Sequence, residues 1–222
     1  MEQVRTLLLF IPPFIFSLTL HEFAHAWMAD KLGDSTARYM GRLTMDPMAH
    51  ISWVGTVILP ALMVLTGGPL FGWANPVPVD ARNFPRKPLQ RMAFVAAAGP
   101  GMNIILATLC VATIAVLARS GALPDVAGGH APGMAGAAIE MLVLAVQLNL
   151  FLAFFNLLPL PPLDGSRILQ GFMSPRAAEK IDAFSGHAQI LLLILFMTGG
   201  LRVLAVPVYM AFNGLFRLFG IQ

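Results

Sequence analysis

Charge is the first thing this sequence lacks. Only 11% of its 222 residues are Asp, Glu, Lys or Arg, against about 25% in soluble domains. With 57% hydrophobic residues and a mean hydropathy of +0.75, that scarcity excludes an ordinary water-soluble domain and implies a chain mostly embedded in lipid. Cysteine is nearly absent as well. Cys110 stands alone in an apolar stretch, so no disulfide can form within one chain and no thiolate zinc cluster can be built. There is no internal repeat and no low-complexity tract, and no loop is long enough for a separate soluble domain. The excess of positive charge is small, net +3. It is too little to argue for nucleic acid and fits Lys and Arg gathered on cytoplasmic loops.

In place of charge the chain has apolar runs, at 6–29, 51–66, 92–118, 141–163, 184–199 and 203–219. As a helix the first covers about 36 Å at 1.5 Å per residue, enough to cross a bilayer. Pro12 and Pro13 inside it are of a kind that membrane helices tolerate. The pattern predicts an all-α polytopic membrane protein of about five to six transmembrane helices. It forms one domain over 1–222, with a core from 6 to 170. Gly199-Gly200 and Arg202 split the tail, so 184–219 reads as a helical hairpin. Residues 51–66 are short for a span and carry Gly55 and Pro60. The stretch from Phe71 through Trp73, Asn75, Val77 and Val79 alternates and is rich in proline, which predicts extended chain. Asn156 to Leu163 holds Pro159, Pro161 and Pro162. That predicts a helix break, with Asp164 opening the next helix.

One short motif organises the rest. Between Arg5 and Asp30 the only formally charged residue is Glu22, and it lies in His21-Glu22-Phe23-Ala24-His25. On a helix, residues four apart share a face, so His21 and His25 can hold one metal ion with Glu22 beside its open side. In H-E-x-x-H the two imidazoles bind zinc and the glutamate acts as general base on a zinc-bound water. Glu and His inside a spanning helix are costly and need a polar partner or a chemical role. The stretch is too polar for a signal-peptide core, and no small-residue cleavage site follows it.

A catalytic zinc commonly takes three protein ligands and a water. Candidates for the third are His50, His130, His187, Asp46, Asp125, Asp164 and Asp182. Asp164 is the best placed, at a helix break after a buried stretch. The alternative is a simple N-cap role. Asp46 and His50, four apart, could form a second metal pair, but interfacial structure is the better reading, given the cost of another buried polar site. Asn103 reads as a helix–helix hydrogen bond rather than a catalytic group. Second partners for the imidazoles are expected, but the sequence does not name them.

His21-Glu22-Phe23-Ala24-His25-Ala26, Ala98-Gly99-Pro100-x-x-Asn103, Asn156-Leu157-Leu158-Pro159 and Leu163-Asp164-Gly165 stand in this order. Together they resemble the motifs of the site-2 protease family of intramembrane zinc metalloproteases, over about residues 15–170. The resemblance implies one Zn2+ per chain bound by His21, His25 and Asp164, with Glu22 as catalytic base. It places Asn156 near the substrate backbone or the oxyanion. It makes 73–79, with Asn75, Val77 and Val79, a membrane-embedded segment that pairs with unwound substrate. Many members carry a PDZ domain between these motifs. This chain has none, like a short prokaryotic subgroup. The implied activity is hydrolysis of peptide bonds within or beside transmembrane segments of membrane-anchored proteins. The implied setting is the lipid bilayer of a prokaryotic cytoplasmic membrane, with the active site toward the cytoplasm and no nucleic-acid partner. Substrate identity and homo-oligomerisation stay open. The other readings are a catalytically inactive adaptor that binds membrane helices, or a metal-binding membrane protein such as a transporter. A transporter would want more intramembrane carboxylates or imidazoles along a path.

Geometry constrains the topology. His21 and His25 lie near the end of the first helix and Asp164 follows 141–163, so an even number of crossings must separate them. The 92–118 and 141–163 runs supply two. Residues 51–66 then enter and return without crossing; the alternative is a full span with a deeper metal. Re-entrance puts 30–50, 70–91 and 160–183 on one side, with ten of the fourteen Lys and Arg, as the positive-inside rule asks of the cytoplasm. With Cys110 removed, Gly68→Cys is expected to react with an impermeant thiol reagent from the cytoplasmic side. Labelling only from the opposite side would mean that 51–66 spans.

Overall fold

In the computed structural model of the chain, residues 2–66, 72–121 and 133–221 are described. The expectations attached to Gly68, Phe71, Asp125 and His130 lie outside them. Among the described residues there is no β-strand. The helices are α1 Glu2–Leu32, α2 Thr36–Tyr39, α3 Pro47–His50, α4 Leu59–Thr66, α5 Pro88–Arg119, α6 Gly133–Asn156, α7 Asp164–Gln170, α8 Pro175–Ala183, α9 Ser185–Met197 and α10 Ala205–Leu218. Among the described residues four stretches are long and apolar enough to cross a membrane: Leu7–Leu32, Pro88–Arg119, Gly133–Asn156 and Gly200–Leu218. The pair α8–α9, bent by 54°, makes a fifth if counted as one span. The chain is an all-α polytopic membrane protein with four to five candidate spans among the described residues, against the five to six expected.

Three helices make the centre. α1 runs unbroken through Pro12 and Pro13. It presents Ala24, Ala26 and Ala29 inward, all buried. α5 answers with Ala93, Ala96, Gly99 and Pro100, also buried. Small side chains let two backbones approach closely where lipid gives no hydrophobic drive. α6 packs across both through Val146, Asn149, Leu150 and Ala153. At the far end of α5, Ala107, Val111 and Ile114 meet Val146 and Leu150, and α10 closes over them with Val208, Phe212 and Leu215.

The two ends of this bundle differ. At one end Arg5 of α1 pairs with Glu140 of α6 at 2.5 Å, and Arg119 at the end of α5 donates to the Phe219 carbonyl at 2.6 Å. The other end collects the polar connections. α1 stops at Gly33, whose φ of +112° suits glycine. Arg91 at the start of α5 donates to the Leu32 carbonyl, a cation at a helix C-terminus. α7 packs against the same end of α5, with Gly171 against Ala93.

Residues 51–66 form a π-helical turn at Trp53–Ile58 followed by the short α4. The stretch Gly72–Asp80 is extended and lies along this turn. The Trp73 N–H donates to the Gly55 carbonyl at 3.1 Å, and the Asn75 N–H to the His50 carbonyl at 2.8 Å. Gly55 has no side chain because the Trp73 indole occupies that space. From the other side Arg42 Nη2 donates to the Asn75 carbonyl at 2.7 Å.

The far end of the stretch is tied to Asp34, which is fully buried. Asp34 Oδ2 accepts the Asp80 N–H at 2.7 Å. Its Oδ1 accepts Asn83 Nδ2 at 2.8 Å and the Thr36 N–H at 3.1 Å. Burial pushes the Asp34 pKa up, but the bonds from Thr36, Asn83 and Asp80 outweigh it and hold the carboxyl below its ordinary value. Such a group adds stability above the unfolded pKa of about 3.9 and loses it as pH falls through the lower folded value. Asp34→Ala leaves these donors unpaired at a cost on the order of 3 kcal/mol. Its thermal midpoint in detergent should fall below wild type by a constant gap from pH 8 to about 5, narrowing below about pH 4. A gap that widens on acidification would contradict this account of Asp34.

Candidate active site

α1 carries His21 and His25 one turn apart, on the face packed against α5. Both imidazoles are buried and their rings meet edge to face, with centroids 4.6 Å apart. Each is held from behind. His21 Nδ1–H donates to Asn103 Oδ1 at 2.6 Å. His25 Nδ1–H donates to the Val95 carbonyl at 2.8 Å. A carbonyl oxygen only accepts, so both neutral rings carry their proton on Nδ1 and leave the Nε2 lone pairs free.

Those lone pairs converge. The two Nε2 atoms are 3.0 Å apart, and Asp164 Oδ2 lies 3.3 Å from that of His21 and 3.4 Å from that of His25. Asp164 Oδ2 is buried and accepts no hydrogen bond. Three acceptors facing one another without a donor are costly in a buried site. Ligand atoms each about 2.0–2.2 Å from one zinc are about 3.3–3.6 Å apart in a tetrahedral shell. The two separations from Asp164 fall in that range and the Nε2–Nε2 separation is about 0.3 Å shorter, so the donor set, two imidazoles and a carboxylate, suits a zinc ion once the rings part slightly.

Asp164 reaches this point because α6 ends at Asn156 and the Pro-rich turn brings the chain back under it. α7 begins at Asp164, and Gly165 allows the close approach, since a Cβ there would overlap the Leu157 and Leu158 carbonyls. Buried Gln170 fixes the other end of α7, donating to Asp182 Oδ1 at 2.8 Å, and Arg167 donates to the same oxygen at 2.9 Å. Glu22 projects beside the imidazoles. A carboxylate oxygen of Glu22 and one ring nitrogen of each histidine all lie within 4.8 Å of one another. Glu22 Oε2 accepts the Val77 N–H at 2.9 Å, which joins the site to the extended stretch.

The remaining sequence candidates lie elsewhere. Asn156 Nδ2 donates within its own helix, to the Leu152 carbonyl at 3.0 Å. The Asn75 side chain donates to the Ile51 carbonyl at 2.8 Å. The Val79 side chain packs against the core of Ala29, Phe84 and Val95. His50 is buried with Nε2–H on the Thr44 carbonyl at 2.9 Å, and Asp46 caps α3 through the Met48 N–H. His187 stacks on Phe184. Sequence reasoning missed the Val95 carbonyl, Asn149 and Ser17. Only Asn149 left a trace, as one of three amides, with Gln147 and Asn156, in an uncharged run.

The model of peptidase family M50 matches residues 9–198. A Bacillus subtilis (strain 168) protein named "Putative zinc metalloprotease YwhC" is 38% identical over 184 residues, 83% of this chain and 78% of that protein. "Putative zinc metalloprotease Rip2" of Mycobacterium tuberculosis (strain ATCC 25618 / H37Rv) is 34% identical over 188 residues, 84% of this chain and 66% of its own length. The Rip2 of Mycolicibacterium smegmatis (strain ATCC 700084 / mc(2)155) is 29% identical over 203 residues, 91% and 71%. No solved structure matches the chain.

The His pair also depends on a missing side chain in α5. A Cβ at Gly99 would overlap His25 Nε2 and Cε1 and His21 Cε1. Alanine is favoured over glycine in a helix by about 1 kcal/mol. Gly99→Ala is therefore expected to hold its thermal midpoint without metal while binding zinc at least tenfold more weakly in chelator competition. Zinc binding equal to wild type would mean that the His pair does not need this contact.

Proposed function

Because this chain belongs to peptidase family M50, we propose that its membrane-embedded zinc metalloprotease activity rests on His21, His25 and Asp164 as metal ligands and Glu22 as base. The observation that carries the reading is the convergence of three buried lone pairs at 3.0–3.4 Å. Zinc at that point supplies a Lewis acid that polarises a carbonyl and lowers the pKa of a bound water to about 7. The protein supplies the rest. Asn103 and the Val95 carbonyl hold the rings in one tautomer and orientation. Glu22 takes the proton of the attacking water and returns it to the leaving amine. The Val77 N–H aims its carboxylate.

Substrates are membrane-anchored proteins. A helical segment hides its carbonyls in its own hydrogen bonds, so it must unwind before cleavage. The extended stretch offers a receptor for such a segment by strand addition. Its Trp73 and Asn75 N–H groups are spent on the Gly55 and His50 carbonyls. From Val77 onward this edge faces Glu22, and the Val79 N–H has no partner among the described residues. Pro76 and Pro78 have no N–H, so the opposite edge is poor in donors. Substrate then enters along Val77–Val79, beside the base. Asn156, at the end of α6, spends its amide N–H on the Leu152 carbonyl, which leaves its side-chain oxygen for the substrate backbone. The end of the bundle that holds Asp34, Asp80 and α7 carries most of the Lys and Arg, so it faces the cytoplasm of a prokaryotic cell. An inactive adaptor is not favoured, since Glu22 is intact and bonded in place.

The test is cleavage of a model single-span substrate in liposomes by wild type and by Glu22→Gln. Loss of the base is expected to lower turnover by about 10²–10⁴-fold while zinc content stays near one per chain. Equal cleavage by both proteins, or by neither, would remove the support for hydrolysis through Glu22.

A further inference from the structure

A chain of buried amides leads away from the metal-facing imidazoles to a position with no evident link to them. His21 Nδ1–H donates to Asn103 Oδ1 at 2.6 Å. Asn103 Nδ2–H donates to Asn149 Oδ1 at 2.8 Å. Asn149 Nδ2–H donates to Ser17 Oγ and to the Ala145 carbonyl, both at 2.8 Å. Ser17, Asn103 and Asn149 are each 99% or more buried. The chain joins α1, α5 and α6.

The chain has a direction, and one backbone atom sets it. The Ala145 carbonyl can only accept, so Asn149 must turn Nδ2 toward it and Oδ1 toward Asn103. Asn103 must then answer with Nδ2 and turn Oδ1 toward His21. An oxygen at that place accepts a proton, so the His21 proton sits on Nδ1 and the Nε2 lone pair points to the metal position. A flip of either amide would put an N–H against His21 Nδ1 and favour the opposite tautomer, in which Nε2 carries the proton and cannot be a ligand. His25 needs no such device, because it donates directly to the Val95 carbonyl.

We propose that Asn149 is a positioning residue for the zinc site: through Asn103 it fixes the tautomer of His21, and what it must supply is a hydrogen-bond acceptor toward Asn103. This rests on the reading of His21 as a metal ligand. It differs from a plain packing role in what it asks of residue 149. Asn149→Asp keeps an acceptor toward Asn103, and the Ser17 hydroxyl can rotate to donate to the second oxygen. Asn149→Leu keeps similar volume and removes the acceptor, which frees the Asn103 amide to flip. Packing alone ranks Leu above Asp at a buried position. The relay ranks Asp above Leu for metal binding.

The experiment measures zinc dissociation by chelator competition in detergent for wild type, Asn149→Leu and Asn149→Asp, with thermal midpoints of the metal-free proteins alongside. Loss of an outer partner of a metal-ligating histidine costs on the order of 10–100-fold in affinity. Asn149→Leu is expected to show that loss, with a midpoint lowered by the Asn103 N–H it leaves unpaired. Asn149→Asp is expected to stay within about threefold of wild type in zinc affinity, even with a lower midpoint. Wild-type affinity in Asn149→Leu, or an equal loss in both variants, overturns the proposal. Nitrogen-15 NMR of metal-free wild type labelled at histidine gives a second reading that needs neither variant to fold. His21, identified by its absence in His21→Gln, should show the Nδ1–H tautomer, and an Nε2–H pattern overturns the relay. Failure of wild type to bind zinc at all would instead strike the ligand assignment, and the tautomer measurement would still judge the relay.

Discussion

Everything in this molecule serves one electrostatic demand: three acceptor lone pairs must point at the same place inside an apolar bundle. Left alone, two imidazoles and a carboxylate would turn away from one another or toward water. Here they cannot. His21 and His25 are pinned through their far nitrogens, Asp164 is delivered by a helix start wedged under α6, and Gly99 brings the α5 backbone close enough to block retreat. The cost of polar groups at this depth is met by cation binding and by the hydrogen bonds that hold the far nitrogen of each imidazole.

The bundle divides that task between rigid and tethered parts. α1, α5 and α6 form a close-packed centre of small residues that fixes the imidazoles. The carboxylate arrives on α7, a short helix held by Gly165 against the Leu157 and Leu158 carbonyls and by Gln170 and Arg167 on Asp182. The extended stretch is tied at both ends, by His50 and Gly55 before the site and by Asp34 after it. Its register over Glu22 is therefore set by groups that take no part in the chemistry.

Much of this was legible in the residues. Long uncharged runs gave the membrane class, because charge cannot be left in lipid. Spacing alone singled out His21, Glu22 and His25, the proline-rich break singled out Asp164, and the structure brings both imidazoles and the Asp164 carboxylate together. What could not be read depends on contacts between distant segments. The partner of His25 is the carbonyl of Val95, and a carbonyl exists at every residue. Asn103 was recognised as a bond between helices, which it is, since it meets Asn149. Its second bond, to His21, needed the α1–α5 register. Asp34 looked like any loop aspartate until Asp80 and Asn83 were seen to fold over it. The 51–66 run was ambiguous by length, and its π-helical turn has no sequence signal that a short apolar run would betray.

The Val77–Glu22 bond carries one last implication. A peptide amide has a single proton to give. While the enzyme is idle that proton steadies the carboxylate, yet the same amide belongs to the edge along which a captured chain would lie. On the reading proposed above, a docked chain leaves that proton on Glu22 and draws its own bonds from further along the edge, so the amide that aims the base also marks where a captured peptide can begin to pair.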